Sequence, residues 1–161
     1  MADLAHLTVA EQIGAADPAA AAPGVAVRVV DPGRLFYVSP PSGLAPNELR
    51  GEGDHWLWLA PDRALRVGAL EPPAGFVSDV TDGLATFEIT GPRAAEIIAM
   101  GCTLDPHGDA LAAGRCAQTV FAGVKVVLYA HGGGETFRLL AERSLAPYLL
   151  EWFTQAASAL Q

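Results

Sequence analysis

The residues most able to do chemistry in this chain sit in one short run, CTLDPHGDALAAGRC. It holds the only two cysteines, Cys102 and Cys116, with Asp105, His107 and Asp109 between them. Thiolate, imidazole and carboxylate are the donors of zinc sites and of redox centres, so spacing must decide. Zinc ligands normally come as cysteine pairs two to four residues apart, and a tetrahedral ion asks for about four donors. The two thiols here are fourteen positions apart, with a single histidine and loosely spaced carboxylates. A disulfide closing this loop would add about 3 kcal/mol by the chain-entropy argument. A reducing compartment opposes it. The reading is two buried, inert thiols.

Other catalytic patterns are weaker. His131 to Glu135, HGGGE, is reminiscent of an oxyanion stretch, but the Gly-x-Ser-x-Gly elbow that such hydrolases need is absent, so the glycines read as a hairpin loop. Neither a Walker sequence nor a Gly-x-Gly-x-x-Gly running from strand to helix occurs. His6, His55, His107 and His131 show no ligand spacing among themselves and read as loop or surface residues.

Composition bounds what must position these residues. A chain of 161 residues suffices for one compact domain. Eighteen acidic against ten scattered basic residues, net charge −8, repel phosphate backbones and anionic lipid, so neither nucleic acid nor membrane is an expected partner. Charged residues make up 17% of the chain where about 25% is usual, which implies that apolar surface remains outside the core. MADLAHLTVAEQ lacks the basic region and apolar stretch of a secretory signal, and no eighteen-residue apolar run occurs. The expectation is a soluble, cytoplasmic protein.

The elements follow from periodicity. Residues 1–24 read as an N-terminal arm: a short amphipathic helix with Leu4 and Leu7, then the Ala/Pro stretch GAADPAAAAPG, unable to pack a core. The domain proper spans 25–161. VAVRVV and RLFYVS are strands about the DPG turn, and HWLWLAP is a strand apolar on both faces. That strand is either a central core strand or one with a face docked on another subunit. Ala85, Phe87 and Ile89 alternate as the inner face of a strand. A helix follows, with Gly91 as N-cap, Pro92 at its first position, Ala94, Ile97 and Ile98 on one face, and a left-handed Gly101 at its end. Strands at 116–122, 124–130 and 136–142 form a meander with a tight turn at Gly123. Ser144 is placed to cap a last helix whose stripe is Leu145, Tyr148, Leu149, Trp152, Phe153 and Ala156. The fold class is α+β: a mostly antiparallel sheet with helices packed on one face, a ferredoxin-like or folate-binding-domain-like sandwich.

SDVTDGLATFEITGPRAAEIIAMGCTLD, then GRCAQT and ERSLAPYLLEWF, resemble the gamma subunit of heterotetrameric sarcosine oxidase and of related complexes that oxidise N-methyl amino acids. The resemblance runs from about Trp56 to the C-terminus. Residues 79–98 are similar to the Asp-Val-Thr, strand, Gly-Pro, helix segment of the wider folate-binding aminomethyltransferase group. Gly101, Cys102, Leu104, Asp105, Gly114, Cys116, Gln118 and Thr119 occupy the family's positions, which makes 102–116 a structural loop entering a strand. The acidic residues that handle the one-carbon unit in aminomethyltransferases have no counterpart in 122–130, so the proton-handling group is missing.

The resemblance implies a non-catalytic subunit docked on alpha, beta and delta subunits, in an assembly that oxidatively demethylates sarcosine or a related N-methyl amino acid. The methyl carbon would pass to tetrahydrofolate or leave as formaldehyde, with hydrogen peroxide formed. FAD, FMN, NAD and tetrahydrofolate would bind elsewhere in that assembly, leaving no catalytic, cofactor-binding or metal-ligating residue in this chain. Two other readings stand beside it: a free-standing folate-binding domain, and a redox or metal sensor built on Cys102 and Cys116.

Overall fold

The computed structural model describes residues 9–40 and 43–161. Leu4, Leu7 and His6 lie outside the described residues. Of the helix expected near the N-terminus, the described residues contain the turn α1 (Val9–Gln12).

Among the described residues, two antiparallel sheets carry the fold. The first has six strands: β1 (Ala20–Ala22), β2 (Val25–Val30), β8 (Leu84–Thr90), β11 (Thr136–Glu142), β10 (Val124–Ala130) and β9 (Cys116–Phe121), in that order. The second has five: β4 (Leu49–Arg50), β5 (His55–Ala60), β6 (Arg63–Val67), β3 (Leu35–Ser39) and β7 (Phe76–Asp79). Helices α2 (Ala94–Gly101) and α3 (Ala146–Ala159) cover one face of the six-stranded sheet. The second sheet covers part of the other.

Strand periodicity explains the layers. Ala85, Phe87 and Ile89 of β8 point one way and meet Ile97, Ile98, Leu149 and Phe153 from the helices. On the opposite face Cys116, Tyr129 and Leu140 meet Leu35, Leu57, Leu65 and Val67 of the second sheet. Burying each such apolar side chain is worth about 1.5–3 kcal/mol, so both faces are strongly committed. The α+β sheet with helices on one face is the expected one. Local alternation cannot tell a strand that joins one sheet from a strand that joins another, and the second sheet emerges only from pairing.

Several details differ from expectation. Part of the Ala/Pro stretch forms strand β1, pairing Ala20, Ala21 and Ala22 with Val27, Ala26 and Val25, and Ala20 is buried against the helix-side core. Edge pairing needs only backbone groups, and alanine is small enough to fit there. Gly91 has φ +115° but does not cap α2, because Arg93 precedes the helix. A Cβ on Gly91 would lie 2.4 Å from the Gly24 carbonyl oxygen, so close backbone passage is what requires glycine. Ser144 does not cap α3 either. A 3₁₀ turn over Arg143–Leu145 leads into the helix, and Leu145 is its flanking residue, with no side-chain cap. The turn at Gly123 is as expected: Ala122 and Gly123 are both left-handed, at φ 50° and 82°.

Gly101 belongs to α2 and is not left-handed; Cys102, extended at φ −145°, ends the helix. Its glycine has a packing cause. A Cβ there would lie 2.2 Å from Cε2 of Phe121, a buried ring held edge-to-face by Trp152 at 4.8 Å and flanked by Phe153 at 5.5 Å between centroids. Gly101→Ala therefore destabilises the chain by about 1–3 kcal/mol in urea unfolding, over-packing outweighing the gain in helix propensity. A variant as stable as the parent would show that the ring yields.

Candidate functional site

The cross-strand register of the six-stranded sheet lines up five side chains that lie far apart in sequence. Arg28 is opposite Glu88, Glu88 opposite Arg138, Arg138 opposite Tyr129, and Tyr129 opposite Cys116. Directly paired residues share a face, so this row crosses β2, β8, β11, β10 and β9 on the side turned toward the second sheet. Its open end is ionic: Asp17 pairs with Arg28 at 3.0 Å, and Glu88 takes both Nε and Nη2 of Arg138 at 2.9 Å. The covered end is neutral.

His55 reaches this row from the second sheet. It begins β5, and its ring is buried. Its Nε2 is 3.0 Å from the Tyr129 hydroxyl and its Nδ1 is 2.6 Å from the Gly53 carbonyl oxygen. A carbonyl only accepts, so Nδ1 carries the proton and Nε2 accepts from Tyr129 O–H. Arg138, directly opposite Tyr129 on β11, brings its positive charge beside the phenol. Hydrogen bonds thus link Tyr129 through His55 to Gly53, and Arg138 to Glu88 beside them in the same row.

Burial sets the protonation states. It pushes the Tyr129 phenol up to about 12, so Tyr129 stays a donor, and it lowers His55, as do the Arg138 and His131 charges to a smaller degree. Burial followed by Arg138 also lowers His131. Cys116 is pushed up to about 11 by burial, and its Sγ lies 3.5 Å from the carbonyl oxygens of Glu48 and Trp58. Such a thiol is a weak donor inside a wall, not a nucleophile.

Next to His55 opens a cleft of about 1170 Å³, walled by three loops. Gly51, Glu52 and Gly53 come from the β4–β5 turn, Pro106 to Gly114 from the inter-cysteine loop, and Gly132 to Gly134 from the β10–β11 loop. His55, His107 and His131 all line it. His107 and His131 are loop residues, as expected. His55 is not: it is an inward-facing strand residue, a role hidden because its partner Tyr129 is 74 positions away. Cys102 and Cys116 are both free thiols, the first half-buried. Among the described residues no three metal-ligating side chains converge.

Antiparallel sheets with helices on one face and a second sheet on the other, closed by a buried polar chain, define the class as an α+β sandwich. The chain belongs to the sarcosine oxidase, gamma subunit family, whose model matches residues 14–159. The match reaches well N-terminal of Trp56, where the sequence resemblance began. Two relatives are each named sarcosine oxidase subunit gamma. The one from Corynebacterium sp. (strain P-1) is 27% identical over 119 residues, covering 66% of this chain and 58% of that one. The one from Arthrobacter sp. is 26% identical over 117 residues, covering 65% and 57%. The matched region thus spans less than two thirds of either relative. A chain of the heterotetrameric sarcosine oxidase from Corynebacterium sp. U-96, solved in complex with pyrrole 2-carboxylate, superposes with a TM-score of 0.81 at 24% identity, over 97% of this chain and 96% of that one. That likeness establishes a shared fold.

Two expectations follow. Tyr129→Phe leaves the buried Nε2 of His55 without a donor and should cost about 1–3 kcal/mol in urea unfolding; an unchanged midpoint would mean that the bond contributes nothing. Cys116 should resist iodoacetamide at pH 8 in the native chain and be fully alkylated in denaturant, read by peptide mass spectrometry. Rapid native labelling would contradict its buried, protonated state.

Proposed function

We propose that this chain is a non-catalytic gamma subunit of a heterotetrameric, sarcosine oxidase-like complex that oxidatively demethylates sarcosine or a related N-methyl amino acid. The observation that carries the reading is the family match over residues 14–159. The alpha, beta and delta subunits are its partners, and flavins, NAD and tetrahydrofolate bind to them.

The chemistry of this chain supports a supporting role. Proton transfer to a substrate needs a group free to exchange protons near neutral pH. Both ring nitrogens of His55 are engaged within the protein, and Tyr129 is held protonated. β10, the strand matching the aminomethyltransferases' acidic segment, carries Val124, Val126 and Leu128 into the helix-side core and no carboxylate.

The surface favours partners. Leu70 and Phe76 are 89% and 84% exposed, Phe76 as the first residue of the edge strand β7. Met100, Val120, Leu145 and Tyr148 are also exposed, and Tyr148 Oη donates to the Ala122 carbonyl oxygen at the β9–β10 turn. Large apolar side chains left outside are the material of permanent interfaces. Among the described residues, no helix is long and apolar enough to cross a membrane.

Affinity purification of the tagged chain from its native cells, with mass spectrometry and a flavin spectrum of the eluate, tests the reading. The expected product is a yellow, multi-subunit assembly that consumes oxygen with sarcosine or another N-methyl amino acid. A colourless monomer that binds reduced folate would replace it with a free-standing folate-binding domain.

A further inference from the structure

A sheet that ends in an open strand leaves backbone donors and acceptors facing water, and folded proteins blunt such edges by shortness, charge or cover. Three of the four sheet edges among the described residues are treated in this way. β1 is three residues long and lies against α3. β4 is two residues long, with the Arg50 guanidinium folded back onto Glu48 and the Gly43 carbonyl oxygen. β9 is joined at its start to the second sheet, by Cys116 N–H on the Asn47 carbonyl oxygen and by the Glu48–Arg115 bridge. Farther along, the Gln118 side chain spans to the Leu59 carbonyl oxygen.

The fourth edge, β7, has none of these devices. Phe76, Ser78 and Asp79 are exposed, Val77 is half-buried, and the strand holds neither lysine nor proline. Asp79, its one charged residue, is drawn inward, accepting from Thr81 Oγ1 at 2.6 Å and from Arg34 Nη2 at 2.9 Å.

Register fixes which backbone groups are open. Val80 N–H donates to the Leu35 carbonyl oxygen at 2.9 Å, so Ser78 and Phe76, on the same alternation, also turn their backbone groups toward β3. Val77 and Asp79 turn theirs away. Each presents an N–H and a C=O that find no partner among the described residues. Apolar side chains flank this row on both faces of the sheet. Phe76 stands 84% exposed on one, and Val77 lies on the other beside Val38, in the cluster that holds Phe36.

We propose that β7 is the site at which a partner subunit adds an extended strand, continuing the five-stranded sheet through backbone bonds to Val77 and Asp79 and covering Phe76. The open groups specify a strand, because only an extended segment matches donors and acceptors that alternate along one line. Its side chain against Phe76 is apolar, and it sets no acid against Asp79. The proposal rests on the reading of this chain as one subunit of a heterotetramer. With alpha, beta, gamma and delta each present once, the neighbour across β7 is a different chain. Charge also opposes a second copy, since each carries net −8.

Val77→Pro tests the backbone directly. It deletes an N–H that points away from β3, so the internal ladder keeps its bonds, and an edge position of this kind accommodates proline. Val77→Ala shortens the side chain but keeps the N–H. In affinity purification of the tagged chain from its native cells, Val77→Pro should recover about tenfold less of the partner subunits than the parent, and Val77→Ala an amount within about threefold of it. An equal loss in both variants would assign the effect to the side chain and overturn the proposal. Equal recovery by the parent and Val77→Pro would overturn the strand addition and leave the subunit reading intact. A parent chain that recovers no flavin-bearing subunit would remove that reading, and the proposal with it.

Should Val77→Pro fail to fold, hydrogen–deuterium exchange of the parent decides. The amides of Val77 and Asp79 should exchange about tenfold more slowly in the assembly than in the isolated chain. Unchanged exchange, or new protection confined to residues 118–120 of β9, would refute the proposal. Slow exchange of Val77 and Asp79 in a dimer of this chain alone would place a second copy there instead.

Discussion

The hydrogen bond from Tyr129 to His55 is the constraint around which the two-sheet arrangement closes. Sheets with apolar inner faces can slide on one another, since hydrophobic contact is indifferent to register. A buried hydroxyl and a buried imidazole are not indifferent, because each strands a polar atom if the sheets shift. Arg138 on β11 and its partner Glu88 on β8 continue the polar row beside that bond, and backbone bonds between Leu49 and Gly114 and between Cys116 and Asn47 hold the same alignment. A polar chain of this kind contributes specificity of alignment more than net stability.

Placing the polar row at the boundary between covered and open sheet has a further effect. Its buried end is neutral, Tyr129 and Cys116, where charge is costly to desolvate; its open end is ionic, Arg28 and Asp17, where water screens it. The gradient follows the coverage by the second sheet. The cleft lies where that coverage stops, so it inherits histidines from the neutral side and glycine-rich loops from the three turns that meet there.

Much of the fold was legible in the sequence because it rests on local regularities. The alternation of Ala85, Phe87 and Ile89, the helical face of Ala94, Ile97 and Ile98, and the turn at Gly123 are set by neighbours within a few residues. Where glycine or serine was assigned a capping role, tertiary contacts took over: Gly101 makes room for Phe121, and Gly91 for the backbone of Gly24. The cleft itself was not legible. The row joins residues 28, 88, 116, 129 and 138, and His55 joins it from another sheet, so neither motif nor period marks it. The one hint was a polar residue opening an otherwise apolar strand at His55.

Arg93 gives the topology a temporal meaning. Its guanidinium donates to the Leu160 carbonyl oxygen at 2.7 Å, just past α3, and reaches the Pro23 carbonyl beside β1, while its stem packs under Gly24. The central strand β8 likewise waits for β11, some fifty positions downstream, before either sheet face is complete. Long-range pairing of this kind is slow to nucleate. A chain synthesised from its N-terminus therefore carries β8 with one edge unpaired until β11 has emerged, and an unpaired strand edge is open to misassembly in that interval.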